Sequence, residues 1–132
     1  MTHQVIFVHG FFGWGTDELN RSLPYWGEAE NADPYKYNKE RKAKFASVGP
    51  ISSNHDRACE LFYQIKGGDC NYGKDHADKH GHAHILTHWK KGANPLYSNW
   101  NEDHAVHLVC HSQGTPTARM LQYLLDQNYF EP

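Results

Sequence analysis

The chain has 132 residues, 39% of them hydrophobic with tyrosine counted, and 15 acidic against 13 basic side chains give a formal charge of −2. That length bounds it at one domain, and the apolar share lies far above that of a disordered chain. Near-neutral charge without a long Lys/Arg run argues against nucleic acid or an anionic membrane as the main partner, since both draw on concentrated positive charge.

The longest apolar runs, such as Val5 to Val8, are too short to cross a bilayer. Read from Met1, the chain shows no secretory leader, which is the expectation for a cytoplasmic protein. Cys59, Cys70 and Cys110 are odd in number and lack C-x-x-C spacing, so neither a disulfide framework nor a thiolate zinc site is expected. Buried or free thiols are.

In chain order, Gln4 to Val8 reads as a buried strand that stops at His9-Gly10 and runs into the glycine-broken loop HGFFGWG. Residues 17 to 44 contain the Asp33-Pro34 break and the charged stretch Lys36 to Lys44, which reads as a solvated helix or loop. Phe45 to Val48 reads as a short strand ended by Gly49-Pro50. A helix follows from Ser53 as N-cap, with Asp56 as capping-box partner, Ala58, Leu61, Phe62 and Ile65 on one face, and Gly67-Gly68 as the stop. Asp69 to Trp100 lacks a clean period and reads as a loop-rich insertion. Ala105 to Cys110 is a second strand, and Gly114 to Gln127 a helix with Ala118, Leu121, Leu124 and Leu125 at helical spacing. No internal repeat or low-complexity segment is present.

Two features carry chemistry. The first is Val106 to Cys110 followed by H-S-Q-G and a helix, the arrangement of a nucleophile elbow, in which a sharp strand-to-helix turn lifts a serine hydroxyl above the sheet. Such a turn aims the helix N-terminus and the Gln113 N–H at the reacting oxygen, where negative charge develops. The loop after the first strand belongs where this fold class draws its second oxyanion donor, and Phe11 occupies that place. Two halves of one oxyanion hole in the right order are harder to obtain by accident than a lone H-S-x-G.

The second is histidine. There are 11, five of them between His76 and His88 and none after His111. Asp75 and Asp78 lie inside the cluster, and Asp56 lies on the helix before it. Imidazole nitrogen and carboxylate oxygen suit zinc, which takes four ligands in a closed structural site. Spacing leaves the choice open: His76/His80, His80/His84 and His84/His88 are i, i+4 pairs for a helix face, whereas His80, His82 and His84 would align on a strand. A polar surface loop rich in histidine gives the same composition.

Taken together, the segments VHGFFGWG (8–15), YWG (25–27), VGPISSNHDRACE (48–60), NYGKDHADKHGHA (71–83) and HLVCHSQGTPTARML (107–121) resemble the zinc-containing triacylglycerol lipases of thermophilic bacilli and staphylococci, within the α/β-hydrolase superfamily. The resemblance spans most of the chain in the family's order, and DRACE and YG-x-x-H-x-x-K-H-G-H-A are its more specific patterns. It implies the N-terminal part of an α/β-hydrolase fold, a mostly parallel sheet flanked by helices. A zinc-binding insertion would lie at approximately 69–100, with the remainder of the domain beyond Pro132. It also implies Ser112 as nucleophile, the backbone N–H groups of Phe11 and Gln113 as oxyanion hole, and Asp56, His76 and His82 as ligands of a structural zinc. The fourth ligand, an aspartate, would come from later in the chain. The substrate would be a lipid or another carboxylic ester, with contact at a lipid interface, and similar bacterial lipases are secreted. Two positions depart from the family, Cys110 for alanine and Thr115 for glycine, and residues 28 to 47 lack the expected helix and strand pattern.

The triad order of this fold is serine, acid, histidine. The residues after Ser112 contain Asp126 and Glu131 but no histidine, and a serine without an imidazole base is a poor nucleophile at neutral pH. The sequence therefore supports a serine ester hydrolase present as an N-terminal fragment. The alternatives are a catalytically inactive zinc-binding protein with a structural or binding role and, more remotely, a histidine-rich metal buffer.

Overall fold

The computed structural model describes residues 3–14, 25–26, 43–86 and 94–131. The readings of the 17 to 44 stretch, Tyr25, Trp26 and its last two residues apart, and of His88 lie outside these residues. The elements are β1 (Gln4–Val8), β2 (Lys44–Ala46), α1 (Asn54–Lys66), β3 (Cys70–Asn71), α2 (Lys74–His80), β4 (Ile85–Leu86), β5 (Val106–Cys110) and α3 (Gly114–Asp126). Three strands form a parallel sheet in the order β2-β1-β5, an α/β arrangement in which each parallel neighbour is reached by a crossover. Val8 at the end of β1 stands beside Ala46 on one side and Cys110 on the other. The two loops that leave β1 and β5 therefore emerge at the same edge.

Helices α1 and α3 pack against each other and against the sheet. The core between them holds Ile6, Val8, Ala58, Leu61, Ile65 and Leu121, each at most 1% exposed. Burying side chains of this size contributes about 1.5–3 kcal/mol each relative to exposure. On the expected face of α1, Ala58, Leu61 and Ile65 are buried and Phe62 is half-buried, stacked flat on Phe130. On α3 the buried residues are Gly114, Thr117, Leu121 and Leu124. Leu125 is exposed, contrary to its helical spacing, because it lies one residue past Leu124 and about 100° round the helix.

Other expectations shift as well. The strand expected at Phe45 to Val48 runs from Lys44 to Ala46. It ends early because Ser47 and Val48 give their N–H groups to side chains, Gln64 Oε1 at 2.7 Å and His9 Nε2 at 3.1 Å. The absence of strand pattern over 28 to 47 is thus corrected at its end, where three residues complete a sheet edge. Ser53 caps α1 as expected, accepting the Asp56 N–H at 3.1 Å. The Asp56 carboxylate does not return that bond. It turns toward the histidines described below.

Within the 69–100 region, residues 69–86 are more ordered than a loop. β3 and β4 pair antiparallel, Cys70 opposite Leu86, and enclose α2 between them. Cys59 and Cys70 are buried, Cys110 is half-buried, and all three are free thiols. Burial pushes the Cys70 thiol up to about 12 and the Cys59 thiol up as well. These two fit the bland reading of cysteine as a small buried side chain.

Among the described residues β5 has one strand neighbour, and Val109, Tyr123 and Leu125 are exposed. At the far end of β5, Gly114 lets α3 seat against β1: a Cβ there would lie 2.3 Å from the Val8 carbonyl oxygen and 3.1 Å from that of His9. Both obstacles are backbone and cannot step aside. Gly114→Ala is expected to lower the unfolding free energy by about 1–3 kcal/mol, the usual cost of overpacking, read from urea denaturation of the purified chain.

Candidate functional site

The β5–α3 turn is strained at one residue. Ser112 has φ +52°, in the left-handed region that a side chain rarely adopts. The turn closes on its own backbone, with Gly114 N–H to His111 O at 2.9 Å and Thr115 N–H to Ser112 O at 3.0 Å. This projects Ser112 outward, where it is exposed. Cys110 sits as an ordinary strand residue beside Val8, so its replacement of a smaller residue does not disturb the turn.

The loop after β1 lies directly against this turn. A Cβ on Gly10 would stand 2.8 Å from Ser112 Cβ and 2.9 Å from His111 O, so only glycine permits the approach. Tyr25 ties the two together: its hydroxyl accepts the Gly10 N–H at 3.0 Å and is hydrogen-bonded to His111 Nδ1 at 2.6 Å. Among the described residues, neither the Phe11 nor the Gln113 backbone N–H has an acceptor. The rim beside them is apolar, with Phe11, Phe12 and Ile51 more than half exposed.

A second cluster gathers on the N-terminal turn of α1. His76 Nε2 lies 3.0 Å from Asp56 Oδ1, and His82 Nε2 lies 3.4 Å from Asp56 Oδ2. His82 reaches this place because Gly81, at φ +70°, ends α2 in a left-handed cap that turns the chain back. His80 and His84 are not drawn in the same way. His80 is exposed with its ring 4.4 Å from that of His76, and the His84 carbonyl accepts the Tyr72 N–H. Asp78 is engaged by Lys74 on the surface of α2.

Sequence reading missed His55, which precedes Asp56. His55, Asp56 and His76 offer ligand atoms that all lie within 4.8 Å of one another, so this His–Asp–His cluster can hold a metal ion. The orientation of His55 follows from its neighbours. Tyr129 gives its hydrogen to the Tyr72 carbonyl, so its oxygen accepts from His55 Nε2 at 3.2 Å, leaving Nδ1 toward Asp56 at 3.3 Å. Its ring, however, lies 3.5 Å above that of His76 and only 17° from parallel. Imidazoles ligate in their own planes, and two nearly parallel planes do not meet at one ion without a ring turning.

His82 fits a metal better. Its Nδ1 lies 2.9 Å from the Ala83 carbonyl oxygen, which only an N–H can satisfy, so Nε2 carries the bare lone pair. That atom is buried without a hydrogen-bond partner. Facing a carboxylate oxygen, that lone pair suits a metal ion or a proton held between the two. Burial, followed by His55 nearby, holds the His76 pKa below its ordinary value and favours the neutral ring that a metal requires.

Comparison with known proteins bears on the identity of this pair of clusters. Residues 2–131 match the family model described as lipase-like, C-terminal domain. The chain belongs to this lipase family. Over 124 residues it is 41% identical to Lipase 1 of Staphylococcus aureus, covering 92% of this chain and 18% of the relative. It is 40% identical to a lipase of Staphylococcus epidermidis, with 92% and 17% covered. Among solved structures, the Staphylococcus hyicus lipase superposes with a TM-score of 0.79 at 33% identity, covering 93% of this chain and 31% of that one. Lipase 1 from Pelosinus fermentans gives 0.75 at 38% identity, with 93% and 32% covered. The lipase resemblance expected from the motifs is therefore established, and the chain spans under a fifth of the curated relatives it matches.

Proposed function

We propose that this chain is the nucleophile-bearing part of a serine carboxylic-ester hydrolase of the triacylglycerol lipase type, built on an α/β-hydrolase fold. The observation that carries this reading is the left-handed Ser112 at the β5–α3 turn, pressed against Gly10. Strain of this kind persists only where the surrounding structure enforces it, and it gathers at sites of chemistry. The Phe11 and Gln113 amides have no acceptor among the described residues, as suits donors for a developing oxyanion.

In this reading Ser112 Oγ attacks the ester carbonyl as its proton passes to a histidine base. The tetrahedral oxyanion is held by the N–H groups of Phe11 and Gln113, and its collapse releases the alcohol, which takes the proton. Water then attacks the acyl-serine by the same route and releases the acid. The exposed apolar rim of Phe11, Phe12 and Ile51 suits an acyl chain or a lipid surface. His111 is already hydrogen-bonded to Tyr25 through Nδ1, and the base is proposed to be another histidine. The acid and histidine of the triad are placed outside these 132 residues, in further strands that would cover β5 and the exposed Val109, Tyr123 and Leu125.

Asp56, His76 and His82 are the proposed zinc ligands, with His55 lying flat over His76 and the fourth ligand outside this chain. Zinc bound there would cross-link α1 to the α2 turn, a structural role that leaves the ester chemistry to the serine. The full-length hydrolase should cleave emulsified tributyrin and lose that activity on fluorophosphonate treatment. Stoichiometric zinc in a polypeptide that neither cleaves esters nor reacts with the probe would instead establish the inactive zinc-binding alternative.

A further inference from the structure

Arg57 is wholly buried, yet it is a cation and lies on neither cluster. Its guanidinium is spent on backbone. Nη2 donates to the His9 carbonyl, and Nη1 to Gly49 O at 3.0 Å and Gly10 O at 3.3 Å. Nε donates to Thr117 Oγ1 at 2.9 Å, and that hydroxyl donates to Gln113 O at 2.8 Å. One side chain thus reaches both the loop after β1 and the first turn of α3.

The Gly10 contact has a geometric consequence. Gly10 C=O and Phe11 N–H belong to one planar trans peptide, so they point in opposite directions and turn together. Arg57 Nη1, His9 Nδ1 and the Gly13 N–H all draw the Gly10 oxygen inward. The Phe11 N–H must then face outward, beside Ser112. A buried charge is costly unless fully hydrogen-bonded, and here three of its four bonds go to the backbone oxygens of His9, Gly10 and Gly49 and the fourth to the Thr117 hydroxyl. A packing role alone would be met by an apolar residue of similar volume.

We propose that Arg57 is a positioning residue for ester hydrolysis: by fixing the Gly10–Phe11 peptide it aims the Phe11 N–H at the oxyanion formed on Ser112, and through Thr117 it steadies the Gln113 turn. This rests on the hydrolase reading above. Arg57 touches no substrate, so its loss should weaken the hold on the tetrahedral state and leave ground-state binding nearly unchanged.

The test compares wild type, Arg57→Lys and Thr117→Val in the full-length hydrolase, with p-nitrophenyl butyrate as substrate and an alkylboronate as tetrahedral mimic. Lysine keeps the charge but loses the fork that reaches four acceptors. Valine removes the Nε acceptor together with the hydroxyl's bond to Gln113 O, breaking the link to the turn while leaving the guanidinium in place, and it carries the test should the lysine variant fail to fold. Expected for Arg57→Lys is a kcat lower by about 10- to 100-fold, below the ~100- to 1000-fold cost of deleting an oxyanion donor outright. KM should stay within about threefold, with boronate affinity falling in step with kcat. Thr117→Val should shift in the same direction by a smaller factor. A folded variant with unchanged kcat and boronate affinity, or one altered only in KM, overturns the proposal. Wild-type protein that is inactive and unreactive toward fluorophosphonate overturns the hydrolase reading and this inference with it.

Discussion

Ser112→Ala in the full-length hydrolase is expected to lower kcat for ester hydrolysis by about a millionfold, the scale on which a serine hydrolase loses its nucleophile. Thr117 Oγ1 is buried and committed to Arg57 and Gln113, and no second serine shares the β5–α3 turn. Stability should stay nearly unchanged. Ser112 holds φ +52° as a non-glycine residue, and neither serine nor alanine relieves that strain, so the variant keeps the fold while losing the chemistry. Parallel measurement of kcat and of urea unfolding separates the two. An activity loss of less than about a hundredfold would place the chemistry elsewhere, because the oxyanion hole and binding alone leave only about a thousandfold to ten-thousandfold over water.

Asp56→Ala is expected to abolish zinc binding, reducing bound metal from about one ion per chain to a trace. Among the described residues Asp56 is the one side chain that faces both His76 Nε2 and His82 Nε2, through opposite carboxylate oxygens. Its removal takes away a ligand and the negative charge that offsets the ion. Zinc that binds only the folded chain stabilises it by about 4 kcal/mol at a thousandfold excess over Kd. Adding a chelator should therefore lower the wild-type melting temperature and leave that of the variant unchanged. His82→Ala should behave similarly, since its Nε2 is buried without a hydrogen-bond partner and faces the Asp56 carboxylate. His55→Phe should retain the metal, because it keeps a flat ring over His76 without offering a nitrogen. Retention of stoichiometric zinc in Asp56→Ala, with loss in His55→Phe, would reverse the ligand assignment.

The elements that could be read from the sequence are those long enough to show a period. β1 and β5 are short, mostly apolar runs, and α1 and α3 each present a helical face entered at a serine or a glycine, with the Gly67-Gly68 stop closing α1. β2, β3 and β4 contain only two or three residues each, too few for alternation to register. Their pairing is set by tertiary contacts, as when His9 and Gln64 take the N–H groups that would have prolonged β2. Leu125 shows the limit of spacing as a guide to burial: α3 has an apolar residue more than its contact with the sheet can cover.

The site was legible unevenly for similar reasons. The strand, serine and glycine order pointed to Ser112, and the glycine-broken loop pointed to Phe11, because close backbone approach leaves a mark in residue type. The metal cluster did not yield to spacing. His76 and His80 are i, i+4 on α2, yet the chain reverses at Gly81 and presents His82 to Asp56 instead. Only the family resemblance singled out that set. Asp56 was read as a capping residue because an aspartate three positions after a serine fits a capping box equally well. His55 was missed, although its place next to Asp56 in NHDRACE was a usable signal. Arg57 gave none, since an arginine on an amphipathic helix ordinarily lies on the solvated face and nothing local shows that four acceptors await it inside.

The central claim, that Ser112 is the nucleophile of an ester hydrolase, is tested most directly by treating the full-length hydrolase with a fluorophosphonate and mapping the adduct by peptide mass spectrometry. The account predicts a single stoichiometric adduct on Ser112, formed in parallel with loss of ester hydrolysis and blocked by prior incubation with substrate. An active enzyme whose adduct lies on any other residue, or which stays unmodified while fully active, would contradict it.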